Sequence, residues 1–181
     1  PKLGSINLTG GSNLLGMTHL LRTQSGAALA KIAGNYSLAL TGATVAQAVA
    51  LDNDAKVASV TVTDSAANIS GSINDLHSLG KKLQSASLSV AGVPLGLTYA
   101  QWIGKASTLN KITGGFTATV SGVAAAKAGG VVADNRVASV QVKDTRSNIN
   151  NQLAALQGLG VQVSAIEQTD VGRLSMTAAQ W

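Results

Sequence analysis

The chain has 181 residues and is 45% hydrophobic but only 3% aromatic, so its core must be built from Ala, Val, Leu and Ile. It has no cysteine, which excludes disulfides, thiolate catalysis and cysteine-based metal sites together. The net charge is +5 and the pI about 9.8. The cations are scattered, with only Lys81 and Lys82 adjacent, and the aromatics are too few to stack bases along a groove, so no specific nucleic-acid surface is expected.

Charged residues make up 12% of the chain, about half the usual share, and small polar residues fill the difference. No run approaches the ~18 apolar residues of a membrane span. The first residue is Pro1 and no signal peptide is visible, as expected of a fragment or a processed chain.

Read in order, the sequence repeats itself at an offset of 80. Lys2-Leu3-Gly4-Ser5-Ile6-Asn7-Leu8-Thr9 returns as Lys82-Leu83-Gln84-Ser85-Ala86-Ser87-Leu88-Ser89, and Leu15-Gly16-Met17-Thr18 as Leu95-Gly96-Leu97-Thr98. The plainest copy runs from Val57 to Ile69 and again from Val137 to Ile149, identical at eight of thirteen positions. A fixed period is the signature of repeat architecture. It divides the chain into the end of one repeat (1–16), two full units (17–96 and 97–176) and the start of another (177–181), as expected of a piece from a longer array.

Each unit is expected to open with a helix, His19 to Ile32 and Tyr99 to Ile112. Thr98 followed by Gln101, and Thr177 followed by Gln180, fit a capping box, in which each side chain satisfies an unpaired backbone N–H of the other; Thr18 with Leu21 gives half of one. Gly34 and Gly114 are natural stops. The first strand is Tyr36 to Leu40, matched by Phe116 to Val120, with Tyr36, Leu38 and Leu40 alternating to one face. A short helix with Val45, Ala48 and Val49 follows, and its counterpart is weakened by Gly129-Gly130.

The second strand is the Val57 motif, read with Ala58, Val60 and Val62 inward and Ser59, Thr61 and Thr63 outward; the second copy turns Ser139, Gln141 and Lys143 outward. Ile69, Ile73, Leu76 and Leu79, with Ile149, Leu153, Leu156 and Leu159, mark a helix. A third strand region, Ser85 to Val90 and then Leu95 to Thr98, is one bent strand or two short ones.

Three strand-helix pairs in 80 residues are about 27 each, within the range of leucine-rich-repeat-like coils. Parallel strands need such crossovers. The expected fold is therefore an α/β repeat solenoid with its strands in one sheet, helices on the buried side and Ser/Thr on the open side. The alternative is two tandem small α+β domains.

Asp64 and Asp144 end a strand and precede a helix, with Asn68 and Asn148 four residues on. This pair is either a helix N-cap or a Ca²⁺ ligand pair, and the cap is favoured because a metal site needs several converging oxygens. Asp52-Asn53-Asp54 reads as a turn. His19 and His77 have no partner spacing, and no Gly-x-Ser-x-Gly, phosphate loop or dinucleotide fingerprint occurs. No cofactor and no catalytic activity are expected. Trp102 and Trp181 share a repeat position and are expected to pack rather than to serve as sugar platforms.

Val-Ala-Ser-Val-x-Val-x-Asp-[Ser/Thr]-x-x-Asn-Ile, a Leu-x-x-Leu helix and a Leu-x-Leu-Thr-x-Ala-Gln-like ending resemble the long repeats of large secreted proteobacterial surface proteins, associated with type I secretion, adhesins and surface layers. The resemblance spans nearly the whole chain. It implies an extracellular or cell-surface location and a structural, non-enzymatic role in adhesion, a surface layer or a fibre, with further copies or adjacent repeats as partners. The chain departs from that class in its basic pI and in lacking the glycine-aspartate nonapeptide that binds calcium. The alternative reading is a glycan- or polyanion-binding module using the Ser/Thr face with Lys143 and Arg173. A repeat cut in mid-phase is also expected to associate head to tail, through Leu3, Ile6 and Leu8 at one end and Leu174, Met176 and Trp181 at the other.

Overall fold

The structure is a computed structural model that describes residues 4–175 and 177. Two compact units divide the chain: Pro1–Ser89 with Ser107–Gly114, and Val90–Ala106 with Gly115–Trp181.

The first unit carries β1 (Ile6–Asn7), β2 (Leu14–Thr18), α1 (His19–Gln24), α2 (Gly26–Leu29), β3 (Ile32–Ala33), β4 (Ser37–Ala43), α3 (Val45–Ala50), β5 (Val57–Asp64), α4 (Ala66–Gly71), α5 (Ile73–Ser78) and β6 (Leu83–Leu88). The second carries β7 (Leu95–Thr98) and α6 (Tyr99–Gly104). Then α7 (Ala106–Leu109) leads into β8 (Ile112–Thr113), which belongs to the first unit. The second unit resumes with β9 (Ala118–Val123), α8 (Ala128–Val132), β10 (Val137–Asp144), α9 (Arg146–Leu159) and β11 (Val163–Gln168).

The mixed α/β class and the parallel pairing match expectation, but the single sheet does not. Among the described residues the strands form three parallel sheets, ordered β1-β3, β2-β4-β5-β6-β8 and β7-β9-β10-β11. The Ser85–Thr98 region is two strands, β6 and β7, in different sheets. Gly92, at φ 80°, and Pro94, which has no N–H to donate, separate them.

The expected helices His19–Ile32 and Tyr99–Ile112 are each two short helices followed by a two-residue strand. Gly26 in one copy and Gly104 in the other sit at the break, where a glycine costs a helix about 1 kcal/mol relative to alanine. The same argument explains a difference between copies. Gly71-Ser72 divides α4 from α5, whereas Asn151-Gln152 stands at the equivalent place and α9 runs unbroken for 14 residues.

Strand β5 does not alternate as expected: Val57, Val60 and Val62 are buried and Ala58 is exposed. The register with β4 shifts between Val57 and Ser59, so Ala58 is an extra residue that resets the alternation; Ala138 repeats this against β9. A second shift leaves Gly42 and Gly122 as the extra residues, at φ 67° and 71°, and brings Ala43 and Val123 back to the buried face. Leu40, Val60, Val62 and Leu83 then meet Val45, Ala48, Ile69, Ile73 and Leu76 in the first core, all at most 3% exposed. Leu97, Val120, Val140 and Val142 line the second with Ala128 and Ile149. No helix among the described residues is long and apolar enough to cross a membrane.

Candidate functional site

The Asp–Asn pair is built from the end of a strand. Asp64 closes β5, and its Oδ1 accepts from the Ser65 N–H at 2.8 Å and from the Asn68 Nδ2 at 2.7 Å. Its Oδ2 accepts from the Val45 N–H, the first of α3, at 2.9 Å. The Ser65 hydroxyl accepts from the Asn68 N–H at 3.1 Å. One carboxylate therefore serves the N-termini of two helices, α3 and α4. Asp144 repeats every bond: Thr145 N–H at 2.8 Å, Asn148 Nδ2 at 2.7 Å and Ala125 N–H at 3.0 Å.

Burial works against the ionised form of Asp64, but the donors Val45, Asn68 and Ser65 outweigh it and hold the carboxyl below the ordinary aspartate range. The Asn148 amide, then the Thr145 N–H, lower Asp144 in the same way. Both carboxylate oxygens face N–H donors, the arrangement of a cap rather than of an ion cage. Among the described residues no three acidic or imidazole side chains gather as a metal site.

A second cluster escaped sequence reading. In the second unit Asp134 holds the Arg136 guanidinium through Oδ1 at 3.1 Å and Oδ2 at 2.8 Å, which depresses the acid and raises the base. That guanidinium lies 5.1 Å from the ring centre of Trp102 and 5.6 Å from that of Phe116. In the first unit the equivalent positions are filled differently. Arg22 stands where Trp102 does and pairs with Asp54, while the Lys56 ammonium lies 4.2 Å over the Tyr36 ring. The signal was available by comparing positions 22, 36, 54 and 56 with 102, 116, 134 and 136. Trp102 is buried, as expected of a packing residue, and Asp54 belongs to a turn in which its Oδ1 accepts from the Lys56 N–H.

The third feature is a strap. Residues 107–114 reach onto the edge of β6, with Ile112 beside Ala86 and Thr113 beside Ser87. The Ala86 N–H donates to the Lys111 carbonyl at 3.0 Å, and the Thr113 hydroxyl to the Ala86 carbonyl at 3.2 Å. The Lys111 ammonium donates to the carbonyls of Gly80 at 2.7 Å and Leu83 at 2.6 Å, and His77 Nδ1 shares a hydrogen bond with the Thr108 hydroxyl at 2.9 Å. Leu109 is 2% exposed and Ala86 beneath the strap 1%. The earlier strap, Gly26–Ala33, makes the same bond to β1: the Ile6 N–H donates to the Lys31 carbonyl at 2.8 Å, with Ile6 beside Ile32.

Among the described residues nothing covers the equivalent place in the second unit. β11 ends its sheet, and Leu153, Leu156, Gln157, Gly160, Val163 and Ile166 line a groove of about 430 Å³. Ile166, at the position of Ala86, is 44% exposed.

The Ser/Thr face is internally bonded. Thr63 and Ser87 share a hydrogen bond of 3.0 Å, Thr119 and Ser139 one of 3.2 Å, and Lys143 pairs with Glu167 at 2.6 Å. Of the expected assembly residues, Ile6 lies in β1, and Leu8 and Leu174 are half-buried. Leu3, Met176 and Trp181, with the Thr177–Gln180 cap, lie outside the described residues or depend on ones that do. The Thr98–Gln101 capping box forms with both bonds, Thr18 caps α1 alone, and Thr44–Gln47 makes a further box that sequence reading passed over.

No protein-family model matches the chain, and no curated protein and no solved structure matches it either.

Proposed function

We propose that the chain is a structural, non-enzymatic repeat segment of an extracellular bacterial surface protein, arranged as an α/β solenoid and serving adhesion, a surface layer or a fibre. The observation that carries this reading is the recurrence of the same backbone devices at the same offset. The Asp–Asn double cap, the Ala58/Ala138 and Gly42/Gly122 bulges and the strap bond all recur. These devices fix strands and helices, and where Asp64 and Asn68 line a cavity of about 590 Å³ with Asp75, both oxygens of the Asp64 carboxylate are already engaged by N–H donors. Stacked units of this kind gain stability from their neighbours.

The glycan or polyanion reading has less support. Its hydroxyls bond to one another and to neighbouring carbonyls, and Lys143 is neutralised by Glu167. A glycan array and a heparin column test the choice. The expected result is no specific glycan signal and elution from heparin at low salt, as a scattered +5 charge gives. Tight retention that Lys143→Ala and Arg173→Ala abolish overturns the structural reading.

A further inference from the structure

We infer that the open edge of β11, with the face of α9 beside it, receives the strap Gly26–Ala33 of a second copy of this chain, β11 taking the place that β1 holds on that strap. The inference rests on the repeat-segment reading and names the junction that reading requires. Its warrant is that the chain already makes this junction internally.

In a parallel strand, alternate N–H groups serve opposite neighbours. The Ser89 N–H donates to Asp64 and the Thr169 N–H to Asp144, on the β5 and β10 sides respectively. The Ala86 N–H therefore falls on the strap side, and the Ile166 N–H, by the same parity, on the open side of β11. The donor side fits as well. The Gly26–Ala33 strap pairs with an isoleucine, Ile6, at the position that Ile166 occupies in β11. The larger side chain on β11 is thus the one this strap accepts.

Charge agrees. Lys31 stands where Lys111 stands, and Lys111 donates to the carbonyls of Gly80 and Leu83. On the acceptor, Gly160 and Val163 hold those positions, just past the C-terminus of the 14-residue α9, whose dipole favours a cation. β1 holds the strap by two residue pairs only, whereas β11 is six residues long and fastened to β10. The six-residue β6 holds its own strap by the same two pairs, so the exchange keeps the number of pairs and gains a partner anchored in a sheet. Donor and acceptor are different surfaces of one chain, so the contact is heterologous and propagates.

Sedimentation velocity of the full chain at rising concentration tests this. Expected are species growing beyond dimers, with Ile166→Lys and Leu29→Asp each weakening association about tenfold or more, because each buries a charge in an apolar contact. Ile6→Lys is expected to strengthen it by loosening β1 from the strap. Mixing the Ile166→Lys and Leu29→Asp variants leaves one intact donor and one intact acceptor, and should give dimers and nothing larger.

A second measurement does not depend on those variants folding. By the pairing of Ser87 with Thr113, Glu167 should face Ala33 of the next copy. In a chain without native cysteine, E167C with A33C should oxidise to a ladder of covalent oligomers. A monomer that neither associates nor cross-links overturns the docking, as does a closed dimer from E167C alone or association indifferent to Leu29→Asp. None of those outcomes touches the structural reading, which fails separately on specific glycan or heparin binding.

Discussion

Replacing Asp64 by asparagine keeps the shape of the side chain and removes its charge, so it isolates the double cap. The carboxylate accepts three bonds, from Val45, Ser65 and Asn68, at 2.7 to 2.9 Å. An asparagine can keep its oxygen toward Ser65 and Asn68, but its amide then faces the Val45 N–H, two donors in opposition, and α3 loses its acceptor. Thr44 still caps α3, but leaving the Val45 N–H without its acceptor costs about 1 kcal/mol, and weakening charge-assisted bonds to neutral ones about 1–2 more, giving about 2–3 kcal/mol in all. For a chain of this length each kcal/mol lowers the melting temperature by about 2–4 °C, so a drop of about 4–12 °C is expected near neutral pH.

The sign of the pH dependence follows from the lowered pKa. A carboxyl depressed in the fold contributes stability above its unfolded value, near 3.9, and loses it as pH falls through the lower folded value. Melts followed by circular dichroism should therefore show the gap between parent and variant in full at about pH 7 and closing below about pH 4. A gap that persists unchanged at about pH 3, or none at pH 7, refutes the reasoning. So does a chelator that lowers the melting temperature of the parent but not of the variant, because the carboxylate would then be holding a cation.

Gly122→Ala should destabilise by about 1–2 kcal/mol, read from urea midpoints. The new Cβ meets nothing within 4 Å, so the whole cost is the positive φ of 71°, and a neutral result would show that the bulge relaxes. Lys111→Met keeps the aliphatic stem and removes two bonds to carbonyls. Hydrogen exchange of the Ala86 amide should quicken about tenfold while the Val60 amide stays protected, and equal acceleration at both would mean that the strap does not open locally.

The α/β class and the capping of helices by Thr98 and by Asp64 with Ser65 were legible because each depends on residues close in sequence, and the repeat because one segment recurs at a fixed offset of 80; the Asp64 bond to Val45, 19 residues back, was not legible. The bulges were not. Ala58 looks inward by strict alternation, and only the partner strand reveals that Val57 and Val60 both face the core. The straps were hidden for a stronger reason. Ile32 and Ile112 continue a helical spacing from Leu29 and Leu109, and a strand of two residues has no pattern of its own; what makes it a strand is the edge of β1 or β6, more than 20 residues away. The open groove on α9 was invisible too, since Leu153, Leu156 and Leu159 match Ile73, Leu76 and Leu79 in spacing and differ only in what covers them.

The two copies differ most where the side chains brace the backbone and least where they shape it. Arg22 with Asp54 and Trp102 with Arg136 close the same corner by different means. The first is a half-buried ion pair, a class worth about 1 kcal/mol or less; the second is a buried indole under a guanidinium, which adds apolar burial to about 0.5–2 kcal/mol of cation–π attraction. Either solution serves, because the corner needs only to be filled. The cap carboxylates, the bulge glycines and the strap bond have no such freedom: each satisfies a particular N–H or a particular φ. A strap that is fixed by backbone bonds can be received by an edge that offers the same N–H at the same register and an apolar side chain beside it. That is why Ala86 and Ile6 both accept one, and why β11, which repeats their geometry with Ile166, is the place where a further copy has its bonds already laid out.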